Sequence, residues 1–282
     1  MIVEELKSLI NKPSSTNKSN LYFRSLIKEF LQVYVLNFIY LNSLYSKVFI
    51  FTGRTCLRHC FGLNRLSEDL DFDITQSVDM VKLKTDIENY FKTEFMYQEL
   101  QVSILQRGQQ LLLKFPVLKR LGIASNSESD LLYVKIDLSP VVSKKFTTNT
   151  TLKNVNNFNY LVTHYDLSSL MASKIVTILT RTRSLGKENI NIIKGRDYFD
   201  LLWFLEKKVT PSLDRINDLL KTDYSMNQIV DLIDKKVEIA TTTGKQFLKQ
   251  DLIPFIDNPL ILDGYIDNFK NNYDQNKSYL NQ

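Results

Sequence analysis

The chain has 282 residues, 44% hydrophobic and 24% charged, and 36 Lys and Arg against 31 Asp and Glu leave a net charge of +5. That composition suits a globular protein of one large or two medium domains, and 8 Gly with 6 Pro exclude a fibrous or disordered chain. The modest positive charge permits contact with a polyanion without demanding it. There is no zinc finger, RNP signature or long Lys/Arg tail, and the densest basic region runs from Arg181 to Arg196.

The opening MIVEELKSLI lacks the basic start and continuous apolar core of a signal peptide. The spacing predicts a short helix over Met1 to Ile10, a polar stretch from Asn11 to Asn20, and a long helix over Leu21 to Tyr45. Its apolar-rich part, Phe30 to Tyr45, is broken by Gln32, Asn37, Asn42 and Ser43 and is too short to span a bilayer. A cytoplasmic protein without a membrane segment is the expectation. Val48 to Phe51 then reads as a buried strand, broken by Thr52-Gly53, and Thr55 is positioned to cap a helix over Cys56 to Phe61. Cys56 and Cys60 lie on that helix and are expected to be reduced core residues. A zinc site built on Cys56, His59 and Cys60 would need a fourth ligand that the sequence does not offer.

After the turn at Gly62-Leu63-Asn64, acids and apolar residues alternate strictly over Asp69-Leu70-Asp71-Phe72-Asp73-Ile74. In a strand that alternation sends Leu70, Phe72 and Ile74 to the core and lines Asp69, Asp71 and Asp73 along the other face, about 6.6 Å apart. Like charges so close resist ionisation unless a cation sits between them, and oxygen-only ligands favour Mg²⁺ or Mn²⁺. The plainer alternative is a solvated sheet face. Asp71-Phe72-Asp73-Ile74-Thr75 also fits the Asp-x-Asp-x-Thr pattern of haloacid-dehalogenase phosphatases. That motif follows an apolar strand, however, and here Arg65-Leu66-Ser67-Glu68 precedes it.

A helix over Val78 to Thr93 follows, with Val81, Ile87 and Phe91 expected inward. Two strands come next, Tyr97 to Leu105 and Gln110 to Phe115, joined at Gln106-Arg107-Gly108. Beyond the turn-rich loop Gly122 to Asp130, the strand Leu132 to Ser139 places Val134, Ile136 and Leu138 on one face. Lys135, Asp137 and Ser139 lie on the other. From Asp166 onward the pattern is helical. Asp166 or Ser168 caps a helix to about Thr182 on which Lys174 borders the stripe Met171, Ile175, Ile178, with Arg181 two turns along the same face. Asp197 and Asp200 fall in the first turns of a helix over Arg196 to Lys207, and further helices lie around 213–220, 229–240 and 260–269.

Three segments in order resemble the AbiEii/AbiGii-type nucleotidyltransferase toxins, with which the mycobacterial MenT toxins belong. They are the Gly53-Arg54 turn followed by Ser67-x-Asp69-Leu70-Asp71, then Lys174 with Arg181, then Arg196-Asp197-x-x-Asp200. The resemblance implies an α/β fold with a DNA-polymerase-beta-like core on a mixed sheet, plus an α-helical C-terminal domain, divided as 1–165 and 166–282. It implies transfer of a nucleoside monophosphate from an NTP to an acceptor hydroxyl, with RNA, and a tRNA 3′ end in particular, as acceptor and an antitoxin as partner. Asp69, Asp71 and Asp137 would hold Mg²⁺ or Mn²⁺, with Asp137 as the third carboxylate acting on the acceptor. Gly53, Arg54, Thr55, Lys174, Arg181 and Asp197 would serve the nucleotide. Relatives carry a second small residue where this chain has Arg54. That residue either adds a guanidinium to the phosphates or fills their pocket by pairing with the acids. The other reading of the whole is a catalytically silent member that binds a nucleotide or a partner.

Overall fold

The computed structural model describes residues 2–11, 18–185, 188–191 and 193–281, with the backbone alone at 182–185 and 188–191. The middle of the polar stretch, residues 12–17, and the side chains of the basic region at 182–192 lie outside the described residues. The chain divides into two compact units. Met1–Val141 with Asn149–His164 form the first, and Val142–Thr148 with Tyr165–Gln282 form the second.

The first unit carries helices α1 (Ile2–Ile10), α2 (Asn20–Leu41), α3 (Gly53–Phe61) and α4 (Met80–Glu94). Its strands are β1 (Phe49–Thr52), β2 (Asp69–Ile74), β3 (Gln101–Leu105), β4 (Gln110–Pro116), β5 (Leu131–Pro140), β6 (Thr148–Val155) and β7 (Phe158–Tyr165). These seven form one sheet in the order β3-β4-β5-β2-β1-β7-β6. It is mixed: β1 runs antiparallel to β2, β2 parallel to β5, β4 antiparallel to β5 and β3, and β1 parallel to β7. The α/β fold with a mixed sheet is therefore as expected.

One face of the sheet holds the aromatic core. Phe72 meets Phe51 and Phe49 at ring-centroid distances of 5.2 and 5.3 Å, and Tyr40 of α2 at 6.5 Å. Phe91 of α4 packs on Phe115 of β4 at 5.4 Å. Large rings paired edge-to-face or offset contribute beyond the area they bury, so these contacts clamp α2 and α4 to the sheet. The inward residues of α4 are Leu83, Ile87 and Phe91. Val81, expected inward, is 66% exposed, because Asp79 caps the helix and puts Val81 in the solvent-facing first turn. Ile74 is only half-buried, unlike Leu70 and Phe72, since it ends its strand.

Strands β6 and β7 have no counterpart in the sequence expectations. Their join, Asn156-Asn157, has both φ values positive, 50° and 63°, which Asn tolerates better than other side chains and which two-residue hairpin turns require.

The second unit is built on α5 (Leu167–Thr180), the two-stranded β8 (Thr182–Leu185) and β9 (Glu188–Asn191), α6 (Gly195–Glu206), α7 (Leu213–Leu220), α8 (Met226–Thr241), α9 (Lys245–Leu252) and α10 (Leu262–Asn276). Asp166 caps α5, accepting from the Ser169 amide at 2.8 Å, and the helix stops at Thr180 with Arg181 as its C-cap. No helix among the described residues is long and apolar enough to cross a membrane.

Candidate active site

The sheet register brings the first group of expected residues together. Asp71 of β2 stands opposite Asp137 of β5 on one side and Thr52 of β1 on the other. Asp137 in turn stands opposite Gln110 of β4. Register partners project to the same face, so Thr52, Asp71, Asp137 and Gln110 form one row across four strands. Asp69 pairs with Lys135 in the next row, and Asp73 with Ser139 in the row beyond. This face is opposite the one that Phe72 and Phe115 share with the helices.

Gly53 sets the floor beneath Asp71. A Cβ there would stand 2.2 Å from Asp71 Oδ2, and its φ of +72° is left-handed. Both facts demand glycine, the first because the carboxylate lies directly over the backbone. Helix α3 starts at this residue, three positions earlier than expected. Thr52 occupies its N-cap and makes no side-chain capping hydrogen bond. The first amides of a helix have no intrahelical acceptor and carry the positive end of the dipole, so this turn can receive an anion.

Thr55 is not the cap. It is fully buried in the first turn of α3, its hydroxyl bonded to the Asp69 carbonyl oxygen and 2.7 Å from Ser67 Oγ. It therefore fastens the helix to the strand that bears the acids. Cys56 and Cys60 are both free, Cys56 being buried in the core.

Asp69 responds to these surroundings. Burial pushes its carboxyl above the ordinary range, the charges of Glu68 and Asp137 push the same way, and Lys135 and Arg54 pull it back. Lys135 Nζ lies 3.9 Å from Asp69 Oδ1. Arg54 is half-buried, next to Gly53. Asp137 accepts a hydrogen bond from Gln110 Nε2 at 2.5 Å, and Gln110 is only 7% exposed. Sequence reasoning passed over Gln110. Its one signal was an amide at the head of the otherwise apolar strand QLLLKFP.

Among the described residues no group of three or more His, Cys, Asp or Glu is gathered closely enough to hold a metal ion. The donor chemistry nevertheless suits a hard divalent cation: three carboxylates share one face, two in direct register, and one is raised by burial and like charge.

The remaining expected residues meet inside the second unit. Lys174 of α5 lies 2.9 Å from Asp197 Oδ1 and 2.8 Å from Asp200 Oδ2, and Arg181 Nε lies 3.1 Å from Asp197 Oδ2. Asp197 and Asp200 sit three apart on α6, hence on one side of it. Their side chains are 3% and 0% exposed and that of Lys174 is 10% exposed. The helix dipole alone therefore does not account for these acids, and Lys174 does not reach out to water. It is a buried cation held in one rotamer by two carboxylates.

The model of the AbiEii family, described as a nucleotidyl transferase AbiEii toxin of a type IV toxin–antitoxin system, matches residues 38–262. The chain belongs to the AbiEii toxin family. That match spans β1 to the start of α10 and so includes both groups of residues. No curated protein matches the chain in sequence. Among solved structures, a candidate nucleotidyltransferase from H. pylori is similar at 12% identity with a TM-score of 0.48, over 90% of this chain and 96% of that one. JHP933 from Helicobacter pylori is similar at 13% identity and a TM-score of 0.45, over 91% and 96%. An antigenic nucleotidyltransferase-like protein from Paracoccidioides brasiliensis is 16% identical with a TM-score of 0.41, over 76% and 91%. Likeness of this degree says nothing of substrate. Family membership makes this AbiEii chain a nucleotidyltransferase of the toxin–antitoxin class.

Proposed function

We propose that this toxin transfers a nucleoside monophosphate from an NTP to a hydroxyl of RNA, a tRNA 3′ end being the expected acceptor, and that a cognate antitoxin counters it. The observation that carries the reading is the pairing of Asp71 with Asp137 in register, above a glycine that Asp71 itself obliges.

Asp69, Asp71 and Asp137 would hold Mg²⁺ or Mn²⁺, which when bound neutralises charge on the α-phosphate. The Gly53 turn and the first amides of α3 receive phosphate oxygens, with Arg54 alongside. Within the second unit, Lys174, held in place by Asp197 and Asp200, and Arg181 would be the phosphate-directed cations that the family resemblance implies. The acceptor oxygen forms a bond to the α-phosphorus as the bond to the β-bridging oxygen breaks. Pyrophosphate leaves with that electron pair, and the hydroxyl proton passes to the Asp137 carboxylate. Gln110, by donating to Asp137 Oδ1, orients that carboxylate for this work.

The test supplies each α-³²P-NTP in turn, with Mg²⁺ and total RNA, to the parent and to Asp71→Asn. Label should enter RNA with the parent, and none should enter with the variant, which should melt no lower than the parent without Mg²⁺. Label in protein or in a small molecule would overturn the acceptor assignment. Full transfer by Asp71→Asn would overturn the site.

A further inference from the structure

The carboxylate row has two sides, and they are chemically different. On the β1 side lie the Gly53 turn and the start of α3, which suit phosphates. On the β5 side lies a more open sheet face, the one opposite the face of Phe72 and Phe115 on which α2 and α4 pack. Register fixes what that open face presents: Tyr133 opposite Lys114, Lys135 opposite Leu112, and Asp137 opposite Gln110. Tyr133 is 38% exposed, and the Lys135 side chain is 45% exposed.

In a phosphoryl transfer the attacking and leaving oxygens lie roughly in line, so the acceptor must approach opposite the departing pyrophosphate. With the phosphates on the Gly53 side of Asp71, the acceptor comes from the Asp137 side, along β5 and β4. An exposed ring between two lysines on a sheet is the arrangement that holds an unpaired base by stacking and its neighbouring phosphates by charge. Tyr133 is four residues from Asp137 on one strand, about 13 Å at the usual strand rise.

We propose that Tyr133, Lys114 and Lys135 form the docking surface for the single-stranded 3′ end of the acceptor nucleic acid, which they lead to Asp137. A base stacks on the Tyr133 ring, Lys114 and Lys135 meet the backbone phosphates, and the terminal hydroxyl reaches the Asp137 carboxylate. The inference rests on the nucleotidyltransferase reading and assigns the surface its acceptor uses. The interior of a duplex does not fit, because each of its bases is stacked on both faces.

The test measures fluorescence anisotropy of a short 5′-labelled single-stranded RNA on the full chain without NTP, for the parent, Tyr133→Ala, Tyr133→Phe and Lys114→Gln. Circular dichroism melts check that each variant folds. Tyr133→Ala should weaken binding roughly five- to a hundred-fold while Tyr133→Phe keeps it. Lys114→Gln should flatten the salt dependence by about 0.7 in the log–log slope. A DNA strand of the same sequence binding equally would show that the surface reads a single strand without reading the 2′-hydroxyl. Unchanged binding in Tyr133→Ala, tighter binding of a duplex, or no binding by the parent would overturn the proposal. NTP affinity is measured separately with a fluorescent analogue. If NTP fails to bind while Tyr133-dependent RNA binding holds, the transferase reading falls and this surface stands. If transfer proceeds and Tyr133→Ala binds RNA as the parent does, the surface falls and the reading stands.

Discussion

Asp69 and Lys174 show how differently a buried charge is treated in the two units. Asp69 has its carboxyl raised by burial, with Glu68 and Asp137 adding to the rise. A carboxyl that holds its proton more tightly when folded makes stability fall as pH rises, from the ordinary value of 3.8 up to its folded value. Asp69→Asn removes that penalty. In the absence of divalent metal the variant should melt above the parent at neutral pH, and the gap should close as pH falls to 3.8 and below. Melting curves across pH check this, and a gap that widens in acid would contradict it. Lys174 is the opposite case. Its removal takes from Asp200, 0% exposed, the ammonium 2.8 Å away, and leaves Asp197, 3% exposed, with Arg181. Breaking a buried pair from one side costs about 3–5 kcal/mol. Lys174→Ala should therefore lose stability as well as NTP binding, and adding Asp200→Asn should restore part of the stability but not the binding. Denaturation and NTP titration on the same preparations separate the two effects.

At the scale of elements, the catalytic face depends on the junction between α3 and β2. Thr55 fastens it, since its fully buried hydroxyl bonds the Asp69 carbonyl and Ser67 Oγ. Thr55→Val keeps the shape and removes the donor, which leaves buried polar atoms unpaired at a cost of about 1–3 kcal/mol. The urea midpoint should drop with an unchanged slope, and transfer should fall further than stability does, because Asp69 is one of the acids proposed to hold the metal. On the other flank, β4 supplies Gln110 to Asp137 through the antiparallel ladder. The acids are thus braced from both neighbouring elements and not held by β2 alone.

At the scale of the whole molecule, the net charge of +5 is small for a protein proposed to act on RNA. Binding must then come from a few well-placed cations, and each phosphate contact releases counterions. Transfer to RNA should fall steeply as salt rises from about 50 to 200 mM, in proportion to the number of phosphates engaged. Assays at a series of salt concentrations with saturating NTP test this, and a flat response would favour a small-molecule or protein acceptor. Membership of the AbiEii family places the chain in a toxin–antitoxin pair, so co-expression of an antitoxin offers the natural means of producing it for these assays.

The sequence alone determined what is local. Strict alternation put Asp69, Asp71 and Asp73 on one face of a strand, because side chains in a strand alternate whatever surrounds them. Asp166 was legible as a cap, since capping needs only a side-chain oxygen three residues from an amide. What is set by partners distant in the chain was not legible. Asp137 was offered as the third acid by resemblance; only the parallel register of β5 on β2 put it opposite Asp71, 66 residues away. The same ladder brought in Gln110, whose neighbours on β4 gave no hint of it. Thr55 read as a cap because its sequence context is a cap's. It became a fastener because Gly53, with φ of +72°, let the helix begin three residues sooner. Lys174 read as a cation bordering an apolar stripe and directed at phosphate, without its carboxylate partners, since periodicity reports which side of a helix a residue is on but not what packs there. Only the packing of α6 on α5 brought two buried carboxylates to it. Local alternation and capping are decided within a few residues, whereas charge pairing and strand register are decided by whichever distant segment folds alongside.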